Sequence, residues 1–380
     1  MELSDYRLEI DRIDGQMVAL FEERMTLASE IAKLKADKHL PIHDPARERD
    51  KLKAVGELVD PALRNYTQRL YTMLFELSRS KQSEEMQHSN ELKQRIVQAI
   101  NDTPPMFPPR GRVAVQGVEG AYSQGAAEKL FAAPELMFFS SFEGVFSAIQ
   151  NGLCQYGVLP LENSTAGSVN RIYDLMMAYD FSIVRSARMK IDHNLLANTG
   201  VTISDIKEIV SHEQALTQCE GFIKSLGNIK ITSCENTAIA ARLVFESGRN
   251  DIAALSSRSC AELYSLNILK PSVQDSGANF TRFICISKNL EIYPGADRSS
   301  IMMALPHKPG SLYHTLGRFY ALGINLNKIE SRPIAGSDFE FMFYFDLETS
   351  VYSDEFMQLF SDVSAMGAQF KYLGSYVEIS

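Results

Sequence analysis

No apolar run in the sequence approaches the roughly 18 residues of a membrane-spanning helix. Positive charge is not in excess either. The formal net charge is −9, so the overall field does not favour nucleic acid or an anionic membrane, and anionic ligands must be held by local clusters of Arg and Lys. The five cysteines (154, 219, 234, 260 and 285) are odd in number, scattered, and never in C-x-x-C spacing. That argues against a disulfide framework or a zinc site and for small buried hydrophobes in a reducing cytosol. The opening MELSDYRLEID is charged from residue 2 and is not expected to be a signal peptide, so a cytoplasmic protein is expected. Low-complexity tracts and long internal repeats are missing as well. What remains is ordinary for a soluble globular chain: 380 residues, 45% hydrophobic and 22% charged, enough for about two to four domains.

Glycine is nearly absent from residues 1 to about 85, where helical periodicity runs throughout. Ser4 is the expected N-cap, with Leu3 and Leu8 as a hydrophobic staple. Positions 10, 13, 17, 20, 24, 27, 31 and 34 step by three and four as a heptad seam. Pro41 should end this helix, and Asp44-Pro45 and Asp60-Pro61 each read as an N-cap with an N1 proline, opening two more helices. Three such helices cannot bury the seam alone, so an obligate dimer is expected. A polar helical connector, roughly 83–100, and the proline-rich NDTPPMFPPR then mark a boundary.

From Arg112 to about Lys288, short apolar strands (RVAVQG, YGVLPLE, EIVSH, DIAALSS, FTRFICIS) alternate with helical stretches such as 142–150 and 213–225. This is an α/β pattern, which keeps ligand sites at strand ends. Residues 299–380 read strand (IMMAL), helix, strand (INLNKIESR), strand (EFMFYFDL), helix (DEFMQLFSDVSAMG), strand (FKYLGSYVEI), the ferredoxin-like βαββαβ order.

Arg24 is the one seam position that is not Ile, Met or Leu. A guanidinium there either snorkels or forms an inter-helix salt bridge, or it meets an anion. Lys35, eleven residues on, returns to nearly the same helix face about 16 Å further along, so the two cations could bracket a small dianion. Arg47 and Glu48 lie in the first turn of the next helix, and Ser78 and Gln82 share a face of the third. Arg7 lies about 25 Å from Arg24 along a straight helix and roughly 100° round it. If it serves the same pocket, it does so across the dimer.

Residues 1–85 resemble the all-helical chorismate mutase domain that opens bifunctional P-proteins, with Arg7, Arg24, Lys35, Asp44, Arg47 and Glu48 followed by Ser78 and Gln82. The resemblance implies that Arg7, Arg24 and Arg47 hold the substrate carboxylates, that Lys35 and Gln82 hydrogen-bond the ether oxygen, and that Glu48 takes the ring hydroxyl. Asp44 has a rival reading as a helix cap and could do both. A Claisen rearrangement needs no nucleophile, proton transfer or cofactor; it needs a folded substrate and stabilised charge on the breaking ether oxygen.

In the middle region, QGVEGAYSQGAA (116–127), PLENSTAGSV (160–169), SHEQALTQC (211–219) and ANFTRF (278–283) place polar side chains at strand ends. Any one could be capping chemistry; a shared cleft accounts for them together. They resemble prephenate dehydratase across 112–288, through Tyr122 and Ser123, Glu162, Asn163 and Ser164, Ser211, His212 and Gln214, and Asn279, Thr281 and Arg282. Gln116-Gly117-Val118 departs from the usual Gly-Pro opening, and Glu213 stands where proline is usual. Prephenate loses its ring carboxylate as carbon dioxide and its C4 hydroxyl as water, so the site must donate to the leaving hydroxyl and hold carboxylates. Thr281 and Glu162 are the rival donors, Arg282 and backbone amides the candidate carboxylate ligands, and His212 either an acid or a simple hydrogen-bonding residue.

Residues 299–380 resemble an ACT regulatory domain, marked by Glu330-Ser331-Arg332-Pro333 and Gly310-Ser311-Leu312. That implies allosteric phenylalanine binding at these residues and edge-to-edge pairing. The expectation is therefore a multidomain chain: an all-α, dimeric domain (1–85), a linker (86–111), an α/β two-lobed domain (112–290) and an α+β ferredoxin-like domain (298–380). No cofactor, metal, nucleic acid or membrane is expected as partner. The rival readings are a dehydratase with a non-catalytic dimerisation region and an amino-acid sensor without catalysis.

Overall fold

The computed structural model describes residues 2–38, 40–86, 91–307, 309–334, 340–357, 359 and 369–380. The chain opens with helices α1 (Leu3–Asp37), α2 (Pro45–Glu57), α3 (Arg64–Met86) and α4 (Glu91–Asp102). There follow β1 (Arg110–Gln116), α5 (Tyr122–Leu130), β2 (Ala133–Phe139), α6 (Phe142–Gln150), β3 (Tyr156–Asn163), β4 (Gly167–Ser168), α7 (Asn170–Ala178) and β5 (Ser182–Lys190). Next come β6 (Asn194–Ala197), β7 (Glu208–Ser211), α8 (Glu213–Gln218), α9 (Glu220–Ser225), β8 (Lys230–Ser233), α10 (Thr237–Ser247), β9 (Ile252–Ser256), α11 (Arg258–Leu263) and β10 (Asn267–Lys270). The last are β11 (Phe280–Ser287), β12 (Arg298–Leu305), α12 (Ser311–Ala321), β13 (Asn325–Pro333), β14 (Phe341–Glu348), β15 (Phe370–Tyr376) and β16 (Glu378–Ile379). The chain divides into two compact units: one of Met1–Val97, Lys308–Ile324 and Tyr352–Phe370, the other of Gln98–His307, Asn325–Val351 and Lys371–Ser380.

In the first unit α3 packs against both α1 and α2. Helix α1 starts two residues earlier than expected. The Asp5 carboxylate accepts the Glu2 backbone N–H at 2.8 Å, so Glu2, not Ser4, is the N-cap, and the staple around Ser4 falls with it. The helix ends at Asp37, before Pro41. Asp44 caps α2 through the Arg47 N–H. Asp60 caps a 3-10 turn, Pro61–Leu63, that runs into α3. The heptad seam stays open: Leu20 is 65% and Leu34 59% exposed, while Ala28 and Ala32 are the buried residues of α1. In the stretch expected as a polar helical connector, helix α4 buries Ile96 fully.

The second unit contains three sheets. The largest has the order β16-β5-β11-β3-β1-β2, with β4 paired to β3. A second lobe has the order β10-β6-β9-β7-β8, and the chain passes between the lobes at 191–193 and again at 271–279. The proline-rich stretch is anchored to the first lobe by Phe107, whose ring packs on Phe131, Tyr156 and Tyr293. The helix expected over 213–225 is broken at Cys219, because the Gln218 carbonyl accepts the Asp275 N–H from outside the helix.

The third sheet, β13-β14-β12-β15, has the strand order of a ferredoxin-like unit. Met302, Tyr344, Leu373 and Tyr376 from it join one core with Phe146, Leu159, Tyr173 and Ile284 of the first lobe. The helix expected at DEFMQLFSDVSAMG lies largely outside the described residues. The strand expected over FKYLGSYVEI is two strands. Gly374 has φ +129°, and a Cβ there would stand 2.3 Å from the Ile183 carbonyl oxygen, so only glycine permits this approach. The chain then crosses to pair β16 with β5 in parallel.

Candidate active sites

In the helical unit the Arg24 guanidinium donates to the Leu74 carbonyl at 2.9 Å and to the Ser78 hydroxyl. The Lys35 ammonium donates to the Ile42 carbonyl at 2.5 Å, which brings it to the chain return before α2. Burial pushes the pKa of Arg24 down; Lys35 is lowered by burial too and reinforced by Arg47, against the pull of Asp44 and Glu48. Desolvated cations of this kind gain from an anion. Ser78 and Gln82 are buried on one face of α3, and among the described residues Gln82 Oε1 has no hydrogen-bond partner. A half-turn of that amide presents either a donor or an acceptor at the open position.

Glu48 is paired with Arg79, a residue without its own signal in the sequence, and has His43 at 3.5 Å. Asp44 does act as a helix cap. The Arg47 and Arg7 side chains stand exposed. Helix α1 is continuous from Arg7 to Arg24, so the separation of about 25 Å holds. Helix α12 belongs to the same unit: His314 Nδ1 lies 2.6 Å from Glu76 Oε1, and Arg318 donates to the Glu76 carbonyl at 2.8 Å.

In the α/β unit the ends of β3 and β11 build an uncharged polar cluster. Asn163 Nδ2 lies 2.8 Å from Asn279 Oδ1 and donates to Thr281 Oγ1 at 2.9 Å. Thr281 is 8% exposed and accepts this bond, which leaves its own O–H to donate elsewhere. Gln218 Nε2 donates to the Thr165 hydroxyl at 2.6 Å, and Gln218 Oε1 receives Asn279 Nδ2 at 3.0 Å. His193 Nε2 lies 3.0 Å from the same oxygen. Tyr122 donates to the Asp192 carbonyl and stands edge-on to His193. Burial pushes its phenol pKa well up, so it stays protonated.

Several expected residues do not join this cluster. Adjacent residues of a strand face opposite ways, and with Asn163 and Thr281 turned to the cleft, Glu162 and Arg282 face the third sheet. Arg282 is buried and paired with Asp346 and with Glu162 (3.3 Å), and it donates to Tyr376 Oη at 2.6 Å. Burial opposes its charge, but Tyr376, Tyr344 and Asp346 outweigh that and hold it protonated. Glu162 also meets Lys328 at 2.7 Å. Glu162 as the rival proton donor and Arg282 as a carboxylate ligand are therefore corrected.

Ser211 is fully buried with its hydroxyl bonded to the Leu255 carbonyl. His212 caps α8 by accepting the Gln214 N–H, and the Gln214 side chain is exposed; the cluster uses Gln218, one turn on. Ser164 clamps the loop by bonding the Ala278 carbonyl and the Phe280 N–H. Ser123 is buried in the first turn of α5. Thr165 belongs to the polar PLENSTAGSV stretch expected at this strand end, whereas Gln218 and His193 are additions from the structure. The helical spacing from Gln214 to Gln218 is the sequence signal for the first; the second carries none.

In the C-terminal region Gly310 starts α12 with φ +91°, Ser311 and Leu312 are half-buried, and Ser331 is exposed. Glu330 accepts from Ser168, and Arg332 grips Asp174 with two bonds of 2.9 and 3.1 Å.

The half-buried cations Arg24, bonded to Ser78, and Lys35 suit a site that holds an anion without moving a proton. The amide–hydroxyl cluster suits one that assists a leaving hydroxyl. Together they define an enzyme with two active sites. Residues 6–83 match the chorismate mutase type II family and residues 113–291 the prephenate dehydratase family. A bifunctional chorismate mutase/prephenate dehydratase of Aquifex aeolicus (strain VF5) is 32% identical over 377 residues, 99% of this chain and 98% of that one. The chloroplastic arogenate dehydratase/prephenate dehydratase 2 of Arabidopsis thaliana is 37% identical over 279 residues, 70% of this chain and 73% of that one. The structure of prephenate dehydratase from Arthrobacter aurescens in complex with L-Phe has a TM-score of 0.64 at 26% identity, covering 70% of this chain and 89% of that one. The chain belongs to the bifunctional chorismate mutase/prephenate dehydratase family, which rearranges chorismate to prephenate and converts prephenate to phenylpyruvate in phenylalanine biosynthesis. No helix among the described residues is long and apolar enough to cross a membrane.

Proposed function

We propose that the rearrangement is catalysed within residues 1–85 and the dehydration within 112–290, joined by 86–111, and that 298–380 form an ACT domain through which phenylalanine inhibits. Arg24, Arg47 and Lys35 hold chorismate folded, Lys35 and the buried Gln82 amide stabilise charge on the ether oxygen, and Glu48 takes the ring hydroxyl. Arg7 reaches the site of a second copy, and the exposed seam of α1 is the dimer contact. In the other site Thr281 donates to the C4 hydroxyl as it departs, with Asn163, Asn279 and Gln218 orienting it. Backbone N–H groups at the start of α5, where Ala121 gives no side-chain cap, take the carboxylates in place of Arg282, with Tyr122 bracing that helix start through its bond to the Asp192 carbonyl. The observation that carries this reading is the Thr281 hydroxyl, which accepts from Asn163 and is left free to donate.

Phenylalanine acts through the region of Gly310–Leu312 and Glu330–Arg332. The bond of Glu330 to Ser168 and the grip of Arg332 on Asp174 support a route from β13 into the dehydratase, as does the L-Phe in the Arthrobacter aurescens complex. A cytoplasmic homodimer or higher homo-oligomer is the expected form. Incubation of the purified chain with chorismate tests the reading: phenylpyruvate should appear, and more slowly with added phenylalanine. Prephenate alone would mean an inactive dehydratase, and no turnover a sensor. Arg7→Ala and Arg24→Ala chains, each inactive as mutases, should regain activity when refolded together; no recovery despite subunit exchange would confine Arg7 to its own subunit.

A further inference from the structure

Two backbone groups fix every amide orientation in the dehydratase cleft. The N–H groups of Thr165 and Ala166 point at one atom of the Asn163 side chain, at 3.1 and 2.9 Å, so that atom is the oxygen. The other end of the amide is NH2, and the Asn279 atom 2.8 Å from it is an oxygen too. The Asn279 NH2 then donates to Gln218 Oε1 at 3.0 Å, leaving the Gln218 NH2 for Thr165. His193 Nε2 lies 3.0 Å from that same Oε1. An amide oxygen cannot donate, so Nε2 carries the imidazole proton and Nδ1 is a bare acceptor.

That acceptor is buried and has no hydrogen-bond partner among the described residues, in a residue only 3% exposed. A buried acceptor without a donor is costly to maintain. Burial also depresses the ring's pKa, which keeps Nδ1 unprotonated. The groups facing the ring are Gln218, the edge-on Tyr122, Asp192 and His212; Gln218 and Asp192 favour the charged ring and His212 opposes it. With both carboxylates ionised, prephenate has one hydrogen-bond donor, its ring hydroxyl.

We propose that His193 is a further functional residue of the dehydratase: Nε2–H fixes the amide chain that ends at Thr281, and Nδ1 accepts the hydrogen of the substrate's ring hydroxyl. The inference rests on placing the dehydration at Thr281. Three variants of the full chain separate the two roles. His193→Gln keeps a donor near Nε2, His193→Asn keeps an acceptor near Nδ1, and His193→Leu keeps neither. The expected result is a fall in kcat/KM for prephenate of about a hundredfold in His193→Leu, with partial recovery in both others. Chorismate rearrangement and melting temperature serve as controls for folding.

The pH profile gives the second readout. The wild-type acid limb, set by protonation of Nδ1, should vanish in His193→Gln. A folded His193→Leu chain that dehydrates prephenate within about twofold of wild type, or an unchanged acid limb in His193→Gln, overturns the proposal. If His193→Leu does not fold, the Gln and Asn variants carry the test. Undiminished dehydration by Thr281→Ala would instead overturn the placement of the site.

Discussion

The helical unit gathers cations, Arg24 and Lys35, whose charge burial disfavours, whereas the cluster proposed as the dehydratase site is built of the neutral side chains Asn163, Thr165, Gln218, Asn279 and Thr281, with His193 beside them. The difference follows the chemistry. A rearrangement moves no proton, and fixed positive charge near the ether oxygen is the help it needs. Loss of a hydroxyl needs a donor, and in the proposed site a neutral cluster in which each amide has one orientation would supply it through Thr281. Arg282, beside Thr281 on β11, has its guanidinium turned to the opposite face of the strand and tied to Asp346.

Removing a charge should therefore cost most in the helical site. Arg24→Ala is expected to lower mutase kcat by about 10²–10³ and leave dehydration of added prephenate unchanged, in parallel assays on one preparation. The next effect is on stability. Arg282→Met strands the buried Asp346 and should destabilise the second unit by about 3–5 kcal/mol, read as a lower denaturant midpoint. A carboxylate-binding role would raise KM for prephenate instead.

How the two sites appear in the sequence differs for the same reason. Arg24 interrupts an apolar seam, and Lys35 recurs on its face within one continuous helix, so the periodicity of a single element exposes the pair. The dehydratase cluster is assembled from β3, α8, the crossing at His193 and β11, and no local pattern joins Gln218 or His193 to Thr281. The outward facing of Glu162 and Arg282 is legible in the sequence. Each precedes or follows a cleft residue on a strand, and the two-residue period already sends them to the other face. The third sheet's order could be read from its elements, but the crossing of β16 into the first sheet could not, because it depends on Gly374 approaching the Ile183 carbonyl.

A smaller effect separates the sites by pH. The pKa of His193 is pushed below its ordinary 6.5, chiefly by burial. As pH falls below 6.5, the unfolded chain takes up a proton that the folded chain refuses, so stability declines until the lowered folded value is passed. Melting temperatures of wild type and His193→Gln should diverge through that window and run parallel above it. Parallel curves throughout would remove His193 as a titrating group. The smallest expected change is regulatory. Lys328→Met removes the β13 cation that contacts Glu162 and Ser168 and should raise the phenylalanine concentration for half-inhibition by about fivefold. Unchanged inhibition would exclude this contact from the route.

The separation of the two chemistries is tested most directly by giving chorismate to Thr281→Ala and following prephenate and phenylpyruvate together. The two-site account predicts that chorismate is consumed at the wild-type rate while prephenate accumulates in equal amount and phenylpyruvate stays at the uncatalysed level. Phenylpyruvate forming at the wild-type rate, or chorismate left unconsumed by a folded chain, would contradict it.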